Sequence, residues 1–111
     1  MIAEEINEDL EGFEYIFHFY RCGNIVFLRG DVKAKKDAPC VGNSIPKKYL
    51  PMLNTYASVA DLTANVIDPE ICFLTSRDVG TWAITDPYWW GNRTLKAGHV
   101  YRFSCTYIVN N

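Results

Sequence analysis

A chain of 111 residues has room for one domain, and at that size about two-thirds of the unfolded surface is buried on folding, enough for a core without staples. With 49% hydrophobic and 14% aromatic residues it is a packed globule, which excludes a disordered segment. The formal charge of -2 is uneven: Glu4, Glu5, Glu8, Asp9, Glu11 and Glu14 fall in the first fourteen residues, leaving 11 basic groups against seven of the 13 acids in the remainder.

That basic surplus is diffuse, with Lys33, Lys35 and Lys36 its nearest approach to a cluster, so no nucleic-acid partner is expected. No basic flank with an apolar run opens the chain and no stretch reaches the length of a membrane span, so the expectation is no membrane partner and folding in the cytosol. Cys22, Cys40, Cys72 and Cys105 lie 18, 32 and 33 positions apart without a C-x-x-C pair. They read as buried free thiols, with two disulfides as the alternative for a protein that ends up outside a cell.

In chain order, Met1 to Glu11 places Ile2, Ile6 and Leu10 at i, i+4 and i+8 between acids, with Gly12 following. This predicts a short amphipathic helix over residues 1–12, marginal alone, ahead of a β domain over 13–111. Phe13 to Arg21 alternates Phe13, Tyr15, Phe17 and Phe19 against Glu14, Ile16, His18 and Tyr20, the period of a strand. Its second face is also apolar, which predicts a cover on both sides, the core on one and another subunit on the other. His18 reads as a core or interface histidine. Cys22-Gly23-Asn24 is a turn signal leading to a strand over 25–32, and Gly30 marks a bulge or a close backbone approach.

Lys33 to Ser44 reads as a long polar loop. Ile45-Pro46-Lys47-Lys48-Tyr49-Leu50-Pro51 carries two prolines, each without an N–H, and predicts an extended crossover lying on the core with Lys47 and Lys48 in water. Residues 52–66 fit strand or loose helix. Ile67 to Glu70 reads as a turn, Ile71 to Thr75 as a strand, Ser76 to Gly80 as a tight connection and Thr81 to Thr85 as a strand. Asp86 to Gly98 is irregular. Val100 to Val109 alternates again, with Tyr101, Phe103, Cys105, Tyr107 and Val109 on one face. The fold class is therefore all-β, a small antiparallel sandwich or barrel with a short N-terminal helix.

Catalytic signatures are scarce. G-x-S-x-G, H-E-x-x-H, a phosphate-cradling glycine loop and a close carboxylate pair are all missing, and His18 and His99 lie far apart, so neither an enzyme nor a cofactor or metal is expected. The unusual cluster is Asp86-Pro87-Tyr88-Trp89-Trp90-Gly91-Asn92-Arg93. Adjacent side chains on an extended backbone point to opposite sides, so Trp89 and Trp90 cannot both enter one core. Aromatic rings cover the C–H face of a sugar while Asp86, Asn92 and Arg93, beside Tyr88, supply directional hydrogen bonds to hydroxyls. Packing of the tryptophans against the barrel end or a sister subunit is the alternative.

The order of Cys22-Gly23-Asn24-Ile25-Val26, Ile45-Pro46-Lys47-Lys48-Tyr49-Leu50-Pro51, Gly80-x-Trp82-x-Ile84 and Cys105-Thr106-Tyr107-Ile108-Val109 resembles the C-terminal head domain of bacteriophage tail-fibre and baseplate receptor-binding proteins. The likeness runs from Phe13 to the end, with Lys48 where that family often has glycine and an unusual Trp89-Trp90 loop. It implies a small β-sandwich or barrel, assembled as a homotrimer at the tip of a virion tail beside other tail and baseplate proteins. It also implies binding of host cell-wall or surface saccharide without cleavage, and makes the first ten residues the root of a stalk. A structural virion adaptor and a glycan-binding module of a bacterial enzyme are the two other classes consistent with the sequence.

Overall fold

The computed structural model describes residues 1–74, 80–85 and 94–110, with backbone alone over 68–74. Among the described residues eight strands run in chain order: β1 Ile2–Asp9, β2 Phe13–Cys22, β3 Ile25–Ala34, β4 Cys40–Ser44, β5 Thr55–Asp61, β6 Val66–Leu74, β7 Thr81–Thr85 and β8 Val100–Ile108. They form one sheet in the order β1-β2-β3-β8-β5-β6-β7-β4, with every neighbouring pair antiparallel. The all-β antiparallel class expected from the sequence is the class observed.

The N-terminal helix is not present. Residues 2–9 are instead an edge strand paired with β2 along its whole length, from Ile2 opposite Arg21 to Asp9 opposite Glu14. The physical reason lies in the spacing itself: positions four apart share a face in a strand as well as in a helix. An apolar partner strand then decides, because a lone helix this short has nothing to pack on. The residues expected as a separate stalk segment therefore belong to the same sheet as β2, and their acids line its open edge, where charge discourages edge-to-edge pairing.

The hairpin expected at Cys22-Gly23-Asn24 is present, closed by Cys22 opposite Ile25, with Gly23 at φ +59°. On β2, β3 and β8 the alternation puts Tyr15, Phe17, Phe19, Val26, Leu28, Val32, Tyr101, Phe103 and Tyr107 inside. Of the two readings for Gly30, close approach holds and the bulge does not, since the register through it is continuous. A Cβ there would stand 2.5 Å from the Phe103 ring and 2.7 Å from Phe17, two rings packed edge to face at 5.4 Å. Gly30→Ala is therefore expected to cost about 1–3 kcal/mol through overpacking. Denaturant unfolding measures it, and a loss below about 0.5 kcal/mol would mean that the rings yield freely.

The middle of the chain departs from expectation at three places. The predicted loop over 33–44 contains β4, which pairs with β7 from Cys40 opposite Thr85 to Ser44 opposite Thr81. Five residues with Gly and Asn carry too little local β signal to announce a strand. The predicted turn at 67–70 lies inside β6, where the register shifts from Ser58 opposite Ile71 to Val59 opposite Asp68. Pro69 and Glu70 are the extra residues of a bulge, the one interior sheet position that tolerates proline. Third, the crossover is not extended throughout, since Lys47–Tyr49 make a single 3-10 turn.

The sheet folds over so that β7 faces β2. Trp82 of β7 meets Phe13, Tyr15 and Phe17 of β2 with ring centroids 5.9, 5.0 and 4.7 Å apart, and Asn43 of β4 donates to the Tyr15 hydroxyl at 3.3 Å. The two edges, β1 and β4, are bridged by the crossover that the sequence placed on the core. Tyr49 is fully buried, its ring stacked on Phe19 at 4.1 Å and 4°. Its hydroxyl donates to Glu4 of β1 at 2.7 Å, and Lys48 pairs with Glu4 at 2.6 Å. Tyr107 donates to the Tyr49 carbonyl and Arg21 to the Lys48 carbonyl. Burial pushes the Tyr49 phenol up to about 12, with the Glu4 hydrogen bond adding to the rise, while Lys48 and Tyr49 hold the Glu4 carboxyl below its ordinary value.

Candidate functional site

The residues singled out as a sugar site, Asp86, Tyr88, Trp89, Trp90, Asn92 and Arg93, lie outside the described residues, as does the connection over 75–79. The positions that flank the first group are well fixed. Thr85 pairs with Cys40, and Leu95 exchanges two hydrogen bonds with Ala38 at 3.0 and 2.8 Å. Both flanks are thus held two residues apart on one segment leading into β4. Leu95 is fully buried, the Lys96 amide donates to the Tyr101 hydroxyl, and the Ala97 amide donates to Asp37.

The outer face of β2, β3 and β8 is a second candidate surface. The register aligns Tyr20 with Phe27 and Thr106, and Cys22 with Ile25 and Ile108. Tyr20 and Phe27 are 41% and 40% exposed, with ring centroids 6.0 Å apart, and Ile16, Ile25 and Ile108 are exposed beside them. Between the apolar rows runs a polar one in which His18 stands 3.6 Å from Glu5 and opposite Arg29. His18 is thus on the outer face and not in the core.

A third constellation escaped the sequence reading. Asp61, at the end of β5, is 5% exposed and takes hydrogen bonds from the amides of Thr63 and Ala64 and from His99 Nδ1 at 2.8 Å. Burial raises its carboxyl, but the His99 bond, the Ala64 and Thr63 amides and the His99 charge outweigh it and leave the value below the ordinary range. Thr63 in turn accepts from the Val100 amide. The pair clamps the β5–β6 turn to the start of β8, and its partners are 38 positions apart, beyond any local motif.

A depressed carboxyl contributes stability above its unfolded value, and that contribution is lost as pH falls through the folded one. Asp61→Ala is expected to cost about 1–3 kcal/mol at pH 7, since the Thr63 and Ala64 amides and His99 all lose their acceptor. The difference from the unsubstituted protein should shrink below pH 4. Urea unfolding at pH 7 and pH 3 measures both, and a pH-independent difference would assign the effect to packing instead.

Of the cysteines expected as buried thiols, Cys22 and Cys40 are exposed and Cys105 is partly enclosed, while the Cys72 side chain lies outside the described residues. Cys22 closes a hairpin and Cys40 opens an edge strand, positions where tertiary packing supplies no cover. Burial pushes the Cys105 thiol up to about 11, which keeps it protonated and a poor nucleophile at neutral pH. Cys22, Cys40 and Cys105 are all free, as expected. Among the described residues no helix is long and apolar enough to cross a membrane. The chain matches no protein-family model and no curated protein.

Proposed function

We propose that this chain is the receptor-binding head of a bacteriophage tail fibre or baseplate, a homotrimer that binds host-surface saccharide without cleaving it. The reading rests on the resemblance in sequence, and the observation that carries it furthest is the outer face built on Tyr20, Phe27, Ile16, Ile25 and Ile108. A small sheet buries its inner face within one chain. A second apolar face on the same strands supports association with further copies. The loop over 86–93 is the proposed receptor contact, and its flanks at Thr85 and Leu95 are held by paired backbone, which suits a variable loop on a fixed base.

The adaptor reading draws on the same outer face, because an apolar sheet surface serves a foreign tail protein as well as a sister subunit. A defined glycan array probed with the purified chain, together with its mass in solution by light scattering, separates the two. Sugar binding by a trimer is the expected result. A trimer or monomer that adsorbs no glycan and no host cells would favour the adaptor.

A further inference from the structure

We propose that the split between β5 and β8 is a saccharide-binding cleft, an inference that rests on the reading of the chain as a saccharide-binding head and adds a contact built from residues other than 86–93. The two strands pair only at Ala60 with Arg102 and Asp61 with Tyr101, then diverge. The cleft between them has a volume of about 620 Å³, within the range of roughly 300–1,000 Å³ usual for small-molecule sites.

Its chemistry is that of a polyol site. In an antiparallel strand the main-chain groups of alternate residues point to opposite neighbours. Val100 accepts from the Leu62 amide and Ile108 from the Met52 amide on the side away from β3. Arg102, Ser104 and Thr106 therefore turn their main-chain groups the same way, and the register gives Ser104 and Thr106 no partner on β5. The rim adds the hydroxyls of Ser58, Ser104 and Thr106 and the ring of Tyr56, which is 62% exposed. At the paired end Arg102 is fixed by a two-point ion pair with Asp31 at 2.6 and 3.1 Å. Donors, acceptors and one aromatic face around a small opening match a sugar ring, whose hydroxyls need partners and whose C–H face needs cover.

Main-chain groups without a partner on β5 also suit an added peptide strand. Both ends of this split are closed, however, by Ala60 with Arg102 and by the Met52 amide on Ile108. A strand cannot run through it, whereas a compact ring enters beside the exposed Tyr56 and Ser58, on the β5 side of the split and off the β2–β3–β8 face.

The test uses an array of hexose and N-acetylhexosamine glycosides, followed by calorimetry with the glycoside that binds most strongly. Tyr56→Ala removes the stacking face and Ser104→Trp fills the opening. Both positions are exposed, and the melting temperature of each variant, measured beside its affinity, separates a loss of binding from a loss of fold. Each variant is expected to bind about ten- to a hundredfold more weakly, and Tyr56→Phe to bind as the unsubstituted protein does, because stacking needs only the ring. Unchanged affinity in Tyr56→Ala and Ser104→Trp, with loss in Trp89→Ala or Trp90→Ala, would overturn the cleft and leave the saccharide-binding head standing. Failure of the unsubstituted chain to bind any glycoside would overturn both. Adsorption to host cells that protease treatment of the cells abolishes, without glycoside binding, would overturn the cleft in favour of a protein receptor.

Discussion

Trp82→Ala should lower stability by about 3–5 kcal/mol, the usual cost of emptying a large aromatic site in a core. Trp82 is the largest fully buried side chain, and it is the contact by which β7 closes over Phe13, Tyr15 and Phe17 of β2. Collapse around the cavity is resisted because those rings are held by their own strand pairing. For a domain of this size the loss corresponds to a fall in melting temperature of roughly 10–20 °C. Trp82→Phe should cost clearly less. It keeps most of the ring contact and deletes the indole Nε1, a buried donor with no hydrogen-bond partner of good geometry among the described residues. Calorimetry on both variants decides the matter, and equal losses would show that the indole N–H is satisfied and stabilising.

Tyr20→Glu combined with Phe27→Glu should leave the fold intact and, where the proposed trimer forms, yield monomers instead. The two rings face each other across β2 and β3 on the exposed side, so carboxylates there remain hydrated in a monomer but would be desolvated and mutually repelled at an interface. Burying two carboxylates against an apolar partner costs several kcal/mol per contact, enough to shift a micromolar association out of reach. Light scattering gives the mass and circular dichroism the fold. An unchanged mass would move the interface off this face and remove the main support for self-association.

Much of the strand arrangement was legible because it is local. The strict alternation in β2 and β8 named the inward residues, Gly23-Asn24 named the hairpin, and Gly30 announced either a bulge or a close approach, of which the rings of Phe17 and Phe103 show the second. The proline-bounded crossover was rightly placed on the core, since Ile45 and Tyr49 are buried while Lys47 and Lys48 are exposed. Each of these signals is carried by a few neighbouring residues whose backbone preferences or periodicity admit one reading.

Other features needed the fold. Ile2, Ile6 and Leu10 satisfy two periods at once, and only the β2 edge makes them a strand. Pro69 argues for a turn until a bulge opposite Ser58 and Val59 accommodates it. Glu4 meets Tyr49 across 45 positions and Asp61 meets His99 across 38, pairings that no spacing rule reaches. The split between β5 and β8 exists because β8 is claimed by β3 on one side and released by β5 after two rungs on the other. The sequence by itself determined that β2, β3, β7 and β8 are strands and which face of β2, β3 and β8 is buried, because side-chain alternation is a property of the backbone. Tertiary structure alone decided which strands neighbour one another and hence where the polar clamps, the closing crossover and the cleft fall, because those depend on contacts between segments distant along the chain.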